Sequence, residues 1–382
     1  MRNARRRFCQ GLAAASLLPA AARAQRAQPI TPKSIVLGQS AALSGPVAEL
    51  GTQMSAGVQA YFKQVNLSGG VEGRPIALRV RDDEYDAVRA AQNTRDFLEK
   101  DDVFALIAYV GTPTSAAALP IFTKAGVPFF GALSGAEVLR TPFNRYVFNL
   151  RASFEDETER IVEQLASTGA KEIAMFYQYD AYGQAGLKTV EQALARRSMK
   201  LSARATAGRG AVDLAIAAAS VISASKPDAV IMIAGYALVA GFVREMKRAG
   251  FAGPLYNLSL VGSRALAEAL GEEGHGVAIS QVVPDPWNSA APIVREYQAL
   301  LRASGTQQYC FAGLEGFLVA KAFTEGLRRT GRELTRERFI AALETMSDVD
   351  LGGFVVNFSP SNHNGSRFVD LTMISRGGRF IS

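Results

Sequence analysis

The chain has 382 residues, long enough for two domains, and its content of 48% hydrophobic and 20% charged residues is ordinary for a globular protein. Its formal charge is +7, but the first 24 residues hold five arginines and no acid, and without them the charge is +2. So small a surplus gives no support to a nucleic-acid partner or to binding on an acidic membrane surface.

The first 24 residues have the pattern of a cleavable export signal. A basic start, MRNARRRF, precedes a run of small apolar residues, GLAAASLLPAAA, and a small-x-small site, ARA. The apolar run is too short to span a bilayer. We expect cleavage after Ala24 and delivery to the periplasm, by either the general or the twin-arginine route, since paired arginines precede Phe8.

The cysteine content indicates a core without disulfide bonds. Only Cys310 remains once the signal is removed, so the mature chain has no internal disulfide. Cys310 lies among apolar residues in QYCFAG, which predicts a small buried hydrophobic side chain and not a reactive thiol.

Strand-like and helix-like segments alternate along the mature chain. The first series has strands at SIVLGQSA, IALRVRDDE, VFALIAYV and VPFFGAL, with helical patterns between them. After a seam near 149–152 a second series has strands at EIAMFYQ, LSARATA, AVIMIAG and PLYNLSL. A second seam, QVVPDPWN, precedes three helical patterns and an alternating, hairpin-like end. Such alternation predicts an α/β protein with two mostly parallel sheets flanked by helices, joined into a two-lobed clamp by more than one crossing.

The segment YVGTPTSAAALP joins a buried strand to a helix. A helix N-terminus exposes backbone N–H groups and a partial positive charge, and Thr112 and Thr114 add hydroxyl donors. Gly111 would let a ligand approach the backbone. This pattern fits a carboxylate site, although a plain capped turn explains the same residues. Ligands bind parallel sheets at the carboxyl ends of strands, and several other predicted strands also end in Gly, Ser or Tyr.

Signatures of catalysis are missing from the sequence. His275 and His363 stand far apart in turn-like segments, and we expect both at the surface. The acidic stretch 82–86, DDEYD, is expected to be a solvated strand end and helix cap, because it lacks the spacing of a calcium loop. Phosphate-binding and dinucleotide-binding glycine motifs do not occur. The sequence therefore predicts no enzyme, no metal and no cofactor.

The chain resembles the periplasmic solute-binding proteins of branched-chain amino acid ABC transporters, the leucine/isoleucine/valine-binding type. The segments that carry this resemblance are LSGPVAELG, YVGTPTS, VPFFGALSGAEVL, FNLRAS, YDAYGQAG, VIMIAGY, YNLSLVGSRAL and LEGFLVAKAF. It implies a monomeric, non-catalytic protein that captures a small carboxylate-bearing ligand and delivers it to an inner-membrane permease.

The resemblance also implies three interlobe crossings. With it, we expect lobe one over 33–150 and 285–351 and lobe two over 152–280 and 352–382. The hinge segments are then expected near 149–152, 281–284 and 351–353.

The same resemblance implies the ligand-binding residues. The carboxylate would be held by the helix start and by the turn after the next strand, and aromatic residues would line the cleft. The positions that match are Thr112, Thr114, Leu133, Ser134, Gly135, Tyr182 and Tyr236. Tyr177 and Tyr179 would either extend the aromatic wall or pack inside lobe two.

One position departs from the family pattern. Amino acid binders carry an acid in the turn matching YNLSL, where it pairs with the ligand ammonium, but this chain has Ser259 there. Glu315 would replace that acid if it reaches the cleft; a role in the hinge or on a helix surface is the alternative. The ligand is therefore either an amino acid or a carboxylate without an ammonium group.

Two other functions remain open from the sequence. The same clamp could dock on a receptor as a sensory module, which the sequence does not separate from transport. A hydrolase of small acids is disfavoured, because no base accompanies the candidate serines.

Overall fold

The computed structural model describes residues 34–381. The predicted signal segment, 1–24, and its cleavage site lie outside the described residues.

The first sheet is parallel throughout and forms the base of lobe one. Its five strands are β1 (Ile35–Ala41), β2 (Ile76–Asp82), β3 (Ala105–Ile107), β4 (Phe129–Phe130) and β5 (Val147–Phe148), in the order β2-β1-β3-β4-β5. The connecting helices are α1 (Ala48–Leu67), α2 (Ala87–Glu99) and α3 (Thr112–Ala125). The Asp86 carboxylate caps α2 by accepting from the backbone N–H groups of Val88 and Arg89, as the sequence predicts.

The second sheet forms the base of lobe two and also receives the end of the chain. Its strands are β6 (Ile173–Gln178), β7 (Leu201–Ala207), β8 (Ala229–Ile233), β9 (Leu255–Asn257) and β10 (Val277–Gln281), which are parallel. The helices of this lobe are α4 (Phe154–Ser167), α5 (Ala181–Ala195), α6 (Val212–Ala224), α7 (Tyr236–Arg248) and α8 (Ser263–Leu270).

After β10 the chain returns to lobe one through α9 (Pro292–Ala303), α10 (Phe311–Thr330) and α11 (Arg336–Leu343). Helix α10 is buried along most of its length, and the ring of Phe317 packs edge-on against Tyr61 of α1 at 5.0 Å between centroids. A Cβ placed on Gly57 would lie 1.9 Å from the carbonyl oxygen of Gly313. Glycine is therefore required for α1 and α10 to cross this closely.

The chain ends with four short strands, β11 (Val349–Asp350), β12 (Val355–Val356), β13 (Asp370–Ile374) and β14 (Phe380–Ile381). The first two pair with each other, whereas β13 and β14 extend the second sheet in antiparallel fashion, giving the order β14-β13-β10-β9-β8-β6-β7. The predicted α/β architecture with two helix-flanked, mostly parallel sheets is confirmed.

The residues that follow β12 pack against lobe one, although the sequence predicts the third hinge before them, at 351–353. The ring of Phe358 packs against Phe148 of lobe one at 5.4 Å, and the backbone N–H of Gly365 donates to the carbonyl of Asn149 at 2.7 Å. Residues 352–365 thus contact lobe one. We therefore propose that the third crossing lies at 366–369, just before β13.

His363 is buried, contrary to the expectation of an exposed loop residue. Its ring stacks on Phe148 at 3.7 Å, its Nδ1 lies 3.0 Å from the carbonyl of Val147, and its Nε2 lies 3.5 Å from Glu344. These contacts hold the segment around His363 against lobe one. His275 is exposed, as expected.

Candidate functional site

A small cavity lies between the lobes beside the crossings. Its free volume is about 20 Å³, roughly the space for one water molecule, so a larger ligand requires the lobes to move apart. Both lobes and two crossings contribute to its wall, which consists of Leu50, Gln53, Leu133, Arg151, Ser259, Ser263, Arg264, Gln281, Val282, Val283, Cys310, Phe311, Ala312 and Glu315.

Arg151 is the largest fully buried side chain in this wall, with 1% of its surface exposed. It follows β5 at the first crossing. Its Nη2 lies 3.2 Å from Glu157 and also donates to the Ser259 hydroxyl, and its Nη1 lies 3.5 Å from Glu315. Its Nε has no hydrogen-bond partner within residues 34–381. A buried guanidinium with an unused N–H beside a cavity is a ready donor for an anionic oxygen.

Glu157 anchors this arginine from lobe two. Its Oε1 accepts from Arg151, and its Oε2 accepts from the Ser259 backbone N–H at 2.9 Å and from the Ser280 hydroxyl at 2.6 Å. The side chain is completely buried in the first turn of α4. Both carboxylate oxygens thus accept hydrogen bonds from the protein, one at Oε1 and two at Oε2, and Glu157 fixes the guanidinium against the end of the second sheet.

Glu315 reaches the cavity from α10 and also contacts Arg151 at the first crossing, so the structure excludes only the helix-surface position among the alternatives. It is 4% exposed, and burial raises the pKa of its carboxyl, although the neighbouring Arg151 opposes that rise. The pair spans 3.5 Å, longer than a well-formed charge-assisted hydrogen bond. Arg151 thus links lobe two, through Glu157 and Ser259, to lobe one, through Glu315.

Two of the three hydroxyls predicted to hold a carboxylate meet at the edge of the first sheet. Thr112 Oγ1 lies 2.8 Å from Ser134 Oγ, and both side chains are buried. Thr114 is different: its hydroxyl donates to the carbonyls of Val110, at 2.6 Å, and Gly111, at 3.0 Å. Its proton is used inside its own helical turn, so of the three predicted hydroxyls only those of Thr112 and Ser134 remain candidates for binding an anion.

The space in front of Gly111 is filled by this chain itself. A Cβ on Gly111 would lie 2.2 Å from Cε2 of Tyr85, and its φ of 102° is one that other residues rarely adopt. Tyr85 is 3% exposed and Asp83 is fully buried, so the stretch 82–86 is only partly the solvated strand end that its composition predicts. The glycine thus provides room for Tyr85, not for a ligand.

The turn after β4 is held to the first crossing by a side chain. Partly buried Arg140 donates to the carbonyls of Ala136, at 3.2 Å, and Arg151, at 3.0 Å. Within this turn, Leu133 lines the cavity, while Gly135 packs against Phe154 and lines a separate surface groove. Leu133 and Ser134 therefore remain near the candidate site, and Gly135 supports the turn from outside.

The predicted aromatic residues do not form one wall. Tyr182 is buried against Phe154, its hydroxyl has no partner in the described part of the chain, and burial raises its pKa well above the ordinary range. Tyr236 is partly buried and packs on the lobe-two core. Tyr177 is buried in the core and Tyr179 is 67% exposed. Of the four, only Tyr182 offers an unused buried polar group.

Sequence reasoning missed Arg151 and Glu157. The available signal was an arginine directly after an apolar strand in FNLRAS, at a predicted crossing, where solvent access is low. Periodicity does not reveal that residues 151, 157, 259 and 315 meet, because that contact depends on how the two lobes face each other.

Residues 34–379 match the family model for periplasmic binding proteins. The chain belongs to the periplasmic binding protein family. Proteins of this family are periplasmic, bind small molecules and work with ABC transporter permeases, so the family consists of substrate-binding proteins and not of enzymes.

Relatives of this binding protein include the leucine/isoleucine/valine-binding type. A possible leucine/isoleucine/valine-binding protein from Rhodopirellula baltica is 30% identical, with a TM-score of 0.84 over 93% of this chain and 98% of that one. A substrate-binding periplasmic protein from Ralstonia solanacearum is 31% identical, with a TM-score of 0.85 over 91% and 99%. Leu/Ile/Val-binding protein homolog 7 of Brucella suis is 27% identical over 199 residues, so the match spans about half of each chain (50% and 48%).

Membrane spans, metal sites and the one cysteine can be assessed in the described residues of the binding protein. Across residues 34–381, no helix is long and apolar enough to cross a bilayer. In the same range, no cluster of His, Cys, Asp and Glu suits a metal ion. Cys310 is 4% exposed in the cavity wall, and burial raises its thiol pKa to about 11, which agrees with the predicted unreactive side chain.

Proposed function

We propose that this binding protein is the periplasmic component of an ABC importer and captures a small ligand with a carboxylate group between its lobes. The single observation that carries the proposal is the buried guanidinium of Arg151, which lines the interlobe cavity with Nε unpartnered. Burial makes a hydrogen bond from a charged donor strong and an unused donor costly, so an anionic ligand atom fits next to Nε.

A second donor set supports the same ligand group. Thr112 and Ser134 have two hydroxyl protons, and their mutual hydrogen bond uses only one. The other proton is free to donate to an anion at the start of α3, where backbone N–H groups also favour negative charge. Leu133, next to Ser134, lies in the cavity wall with Arg151.

Closure around the ligand follows from the contacts between lobes. Arg209 of lobe two donates to the backbone carbonyl of Tyr85, and Lys188 of lobe two pairs with Glu137 of lobe one. These contacts require closed lobes, and the residual cavity is too small for ligand entry. Ligand binding should therefore shift an open population toward this closed form.

Titration calorimetry with a panel of small carboxylic and amino acids tests the proposal, combined with small-angle scattering of the free and saturated protein. We expect at least one acid to bind with micromolar or tighter affinity and to reduce the radius of gyration. Binding only by uncharged compounds, or an unchanged radius, contradicts it. In cells, loss of uptake of the identified acid on deletion of the gene tests the transport role.

A further inference from the structure

We propose that the ligand has a long apolar or aromatic tail, which passes between Arg264 and Phe311 into a groove beside Trp287. This inference rests on the proposed function and adds the shape and chemical class of the ligand beyond its carboxylate. It starts from the size of the interlobe cavity. The cavity of about 20 Å³ holds no more than one water molecule, so any organic acid needs further space.

A groove of about 910 Å³, which we call the Trp287 groove, lies next to this cavity. Its volume is in the range of small-molecule sites, roughly 300–1,000 Å³. Its wall includes the rings of Trp287, Tyr309 and Phe380. Trp287 is 42% exposed and stacks on Phe380 at 5.4 Å between ring centroids. The chain thus leaves aromatic surface partly uncovered here, which suits an apolar or aromatic ligand group.

The cavity and the Trp287 groove are neighbours along three segments of the chain, each of which lines both spaces. The three are the start of α8 (263–268), the second crossing (281–287) and the segment that enters α10 (307–312). Arg264 belongs to both walls. Phe311 lies in the cavity wall, and its ring is 5.6 Å from that of Trp287 in the groove wall. A single layer of side chains, Arg264 and Phe311, therefore separates the two spaces.

Arg264 is the movable part of this layer. Its side chain is 31% exposed, and its Nε donates to Glu268 at 2.7 Å, one turn along α8. A partly exposed ion pair contributes little to stability, so turning Arg264 outward costs little. Phe311 is buried and packs edge-on against Trp287 and Phe380, so its ring stays in place. A ligand tail passes along the Phe311 ring when Arg264 turns away.

The region around Gly111 gives no comparable space. Tyr85 packs on Gly111 and is buried, and Tyr182 is buried against Phe154. Rings of this chain therefore occupy the volume near the start of α3. With its carboxylate at Arg151 Nε, the ligand extends toward Arg264 and Phe311.

Tryptophan emission locates the tail, because Trp287 is the only tryptophan of the chain. Bromine quenches tryptophan fluorescence only near contact, so 6-phenylhexanoate and 6-(4-bromophenyl)hexanoate form a matched pair on the wild-type protein. At saturation, set by titration calorimetry, the brominated acid should give at most half of the emission seen with its partner. Benzoate and 4-bromobenzoate are the short control pair, and their emissions should agree.

Affinity gives an independent readout of the same tail. Burial of one methylene group tightens binding by about fourfold, so 6-phenylhexanoate should bind at least tenfold more tightly than benzoate. Equal emission of the long pair, or tighter binding of benzoate, overturns the inference and leaves the proposed function standing. The inference is also wrong if neither long acid binds but another carboxylate does. Failure of every carboxylate to bind contradicts the proposed function itself.

Removal of the Trp287 ring tests the groove wall. Trp287→Ala should weaken 6-phenylhexanoate at least fivefold more than benzoate, because only the long acid reaches the Trp287 groove. Phe143→Ala is the matched control and should leave the ratio of the two affinities unchanged, since this ring is 48% exposed and contacts His363 outside the groove wall. An unchanged ratio in Trp287→Ala contradicts the assignment, and thermal melts of both variants show whether the fold is intact.

Discussion

The hydroxyl oxygen of Thr112 lies 2.8 Å from that of Ser134, and this hydrogen bond joins the first turn of α3 to the turn after β4. The Ser134 hydroxyl also accepts from the backbone N–H of Ala136 at 3.3 Å. Both side chains are buried, and their mutual hydrogen bond uses one of the two hydroxyl protons. Thr114, two residues along the helix, has no such proton to offer.

Replacement of each threonine by valine should separate binding from stability. Thr112→Val removes one hydroxyl of the pair that we propose to hold the acid. A charge-assisted hydrogen bond contributes roughly 1.5–3 kcal/mol, so affinity for the acid should fall about ten- to a hundredfold. Thr114→Val removes a bond to the Val110 carbonyl, so it should lower the free energy of unfolding by about 1 kcal/mol and leave affinity unchanged. Calorimetry and urea unfolding on both variants check this. The reverse outcome would return Thr114 to the site and make Thr112 structural.

The fold could be predicted from the sequence because its signal is repeated along the chain. Each buried strand is a short apolar run, and each helix has apolar residues at helical spacing. The alternation of strands and helices predicts parallel sheets. The Asp86 cap follows from one residue and its neighbours. Local patterns such as these need no knowledge of distant contacts.

The candidate site could be predicted only in part, because some of its contacts join residues that are distant in the sequence. Thr112 and Ser134 follow predicted strands, so their meeting at one sheet edge was foreseeable. The contacts of Arg151 with Glu157, Ser259 and Glu315 depend on the mutual placement of two lobes, which no local pattern encodes. The sequence also did not predict the burial of Tyr85, which lies in an acidic stretch. Its ring packs on Gly111, and this contact depends on the tertiary structure.

The packing of Tyr85 on Gly111 predicts that Gly111→Ala is strongly destabilising. The new methyl group would meet the Tyr85 ring at 2.2 Å, and alanine is strained at a φ of 102°. We expect a loss of about 3 kcal/mol or more in the free energy of unfolding, measured with urea. The control is Gly250→Ala, where φ is +83° and no atom lies within 4 Å of the added Cβ, so that only the backbone strain of about 1–2 kcal/mol remains. Equal losses at both positions would show that the ring contact is unimportant.

The contact between Arg209 and Tyr85 should stabilise the closed lobes. The Arg209 guanidinium lies 5.2 Å from the Tyr85 ring centroid and donates to the backbone carbonyl of the same residue. Since this contact joins the two lobes, Arg209→Ala should raise the ligand dissociation rate by about two- to tenfold and increase the radius of gyration of the saturated protein. Stopped-flow kinetics and small-angle scattering measure the two effects. Arg204→Ala, which removes an ion pair within lobe two, is the control. An unaltered dissociation rate for Arg209→Ala would contradict a role in closure.

Buried Asp83 should give the protein an unusual pH dependence. Its carboxylate accepts from Ser40 Oγ at 2.7 Å and from the Tyr85 backbone N–H at 2.9 Å, but burial dominates and raises its pKa to about 6. Because this value exceeds the ordinary one near 3.9, the folded protein holds more protons than the unfolded chain between about pH 4 and 6. The contribution of Asp83 to stability is therefore present below pH 4 and is lost as the pH rises to 6.

The substitution Asp83→Asn removes this titration. The unfolding free energy of the wild type, minus that of the variant, should fall by about 2 kcal/mol from pH 4 to pH 7, because each unit of pKa shift contributes about 1.4 kcal/mol and part of the effect is already lost at pH 4. Urea unfolding at pH 4, 5, 6 and 7 measures the difference. Asp228→Asn is a control of opposite sign, because backbone N–H groups of Glu172 and Lys171 lower the Asp228 pKa and its contribution is lost as the pH falls. Parallel pH curves for the wild type and Asp83→Asn would show that Asp83 does not titrate in this range.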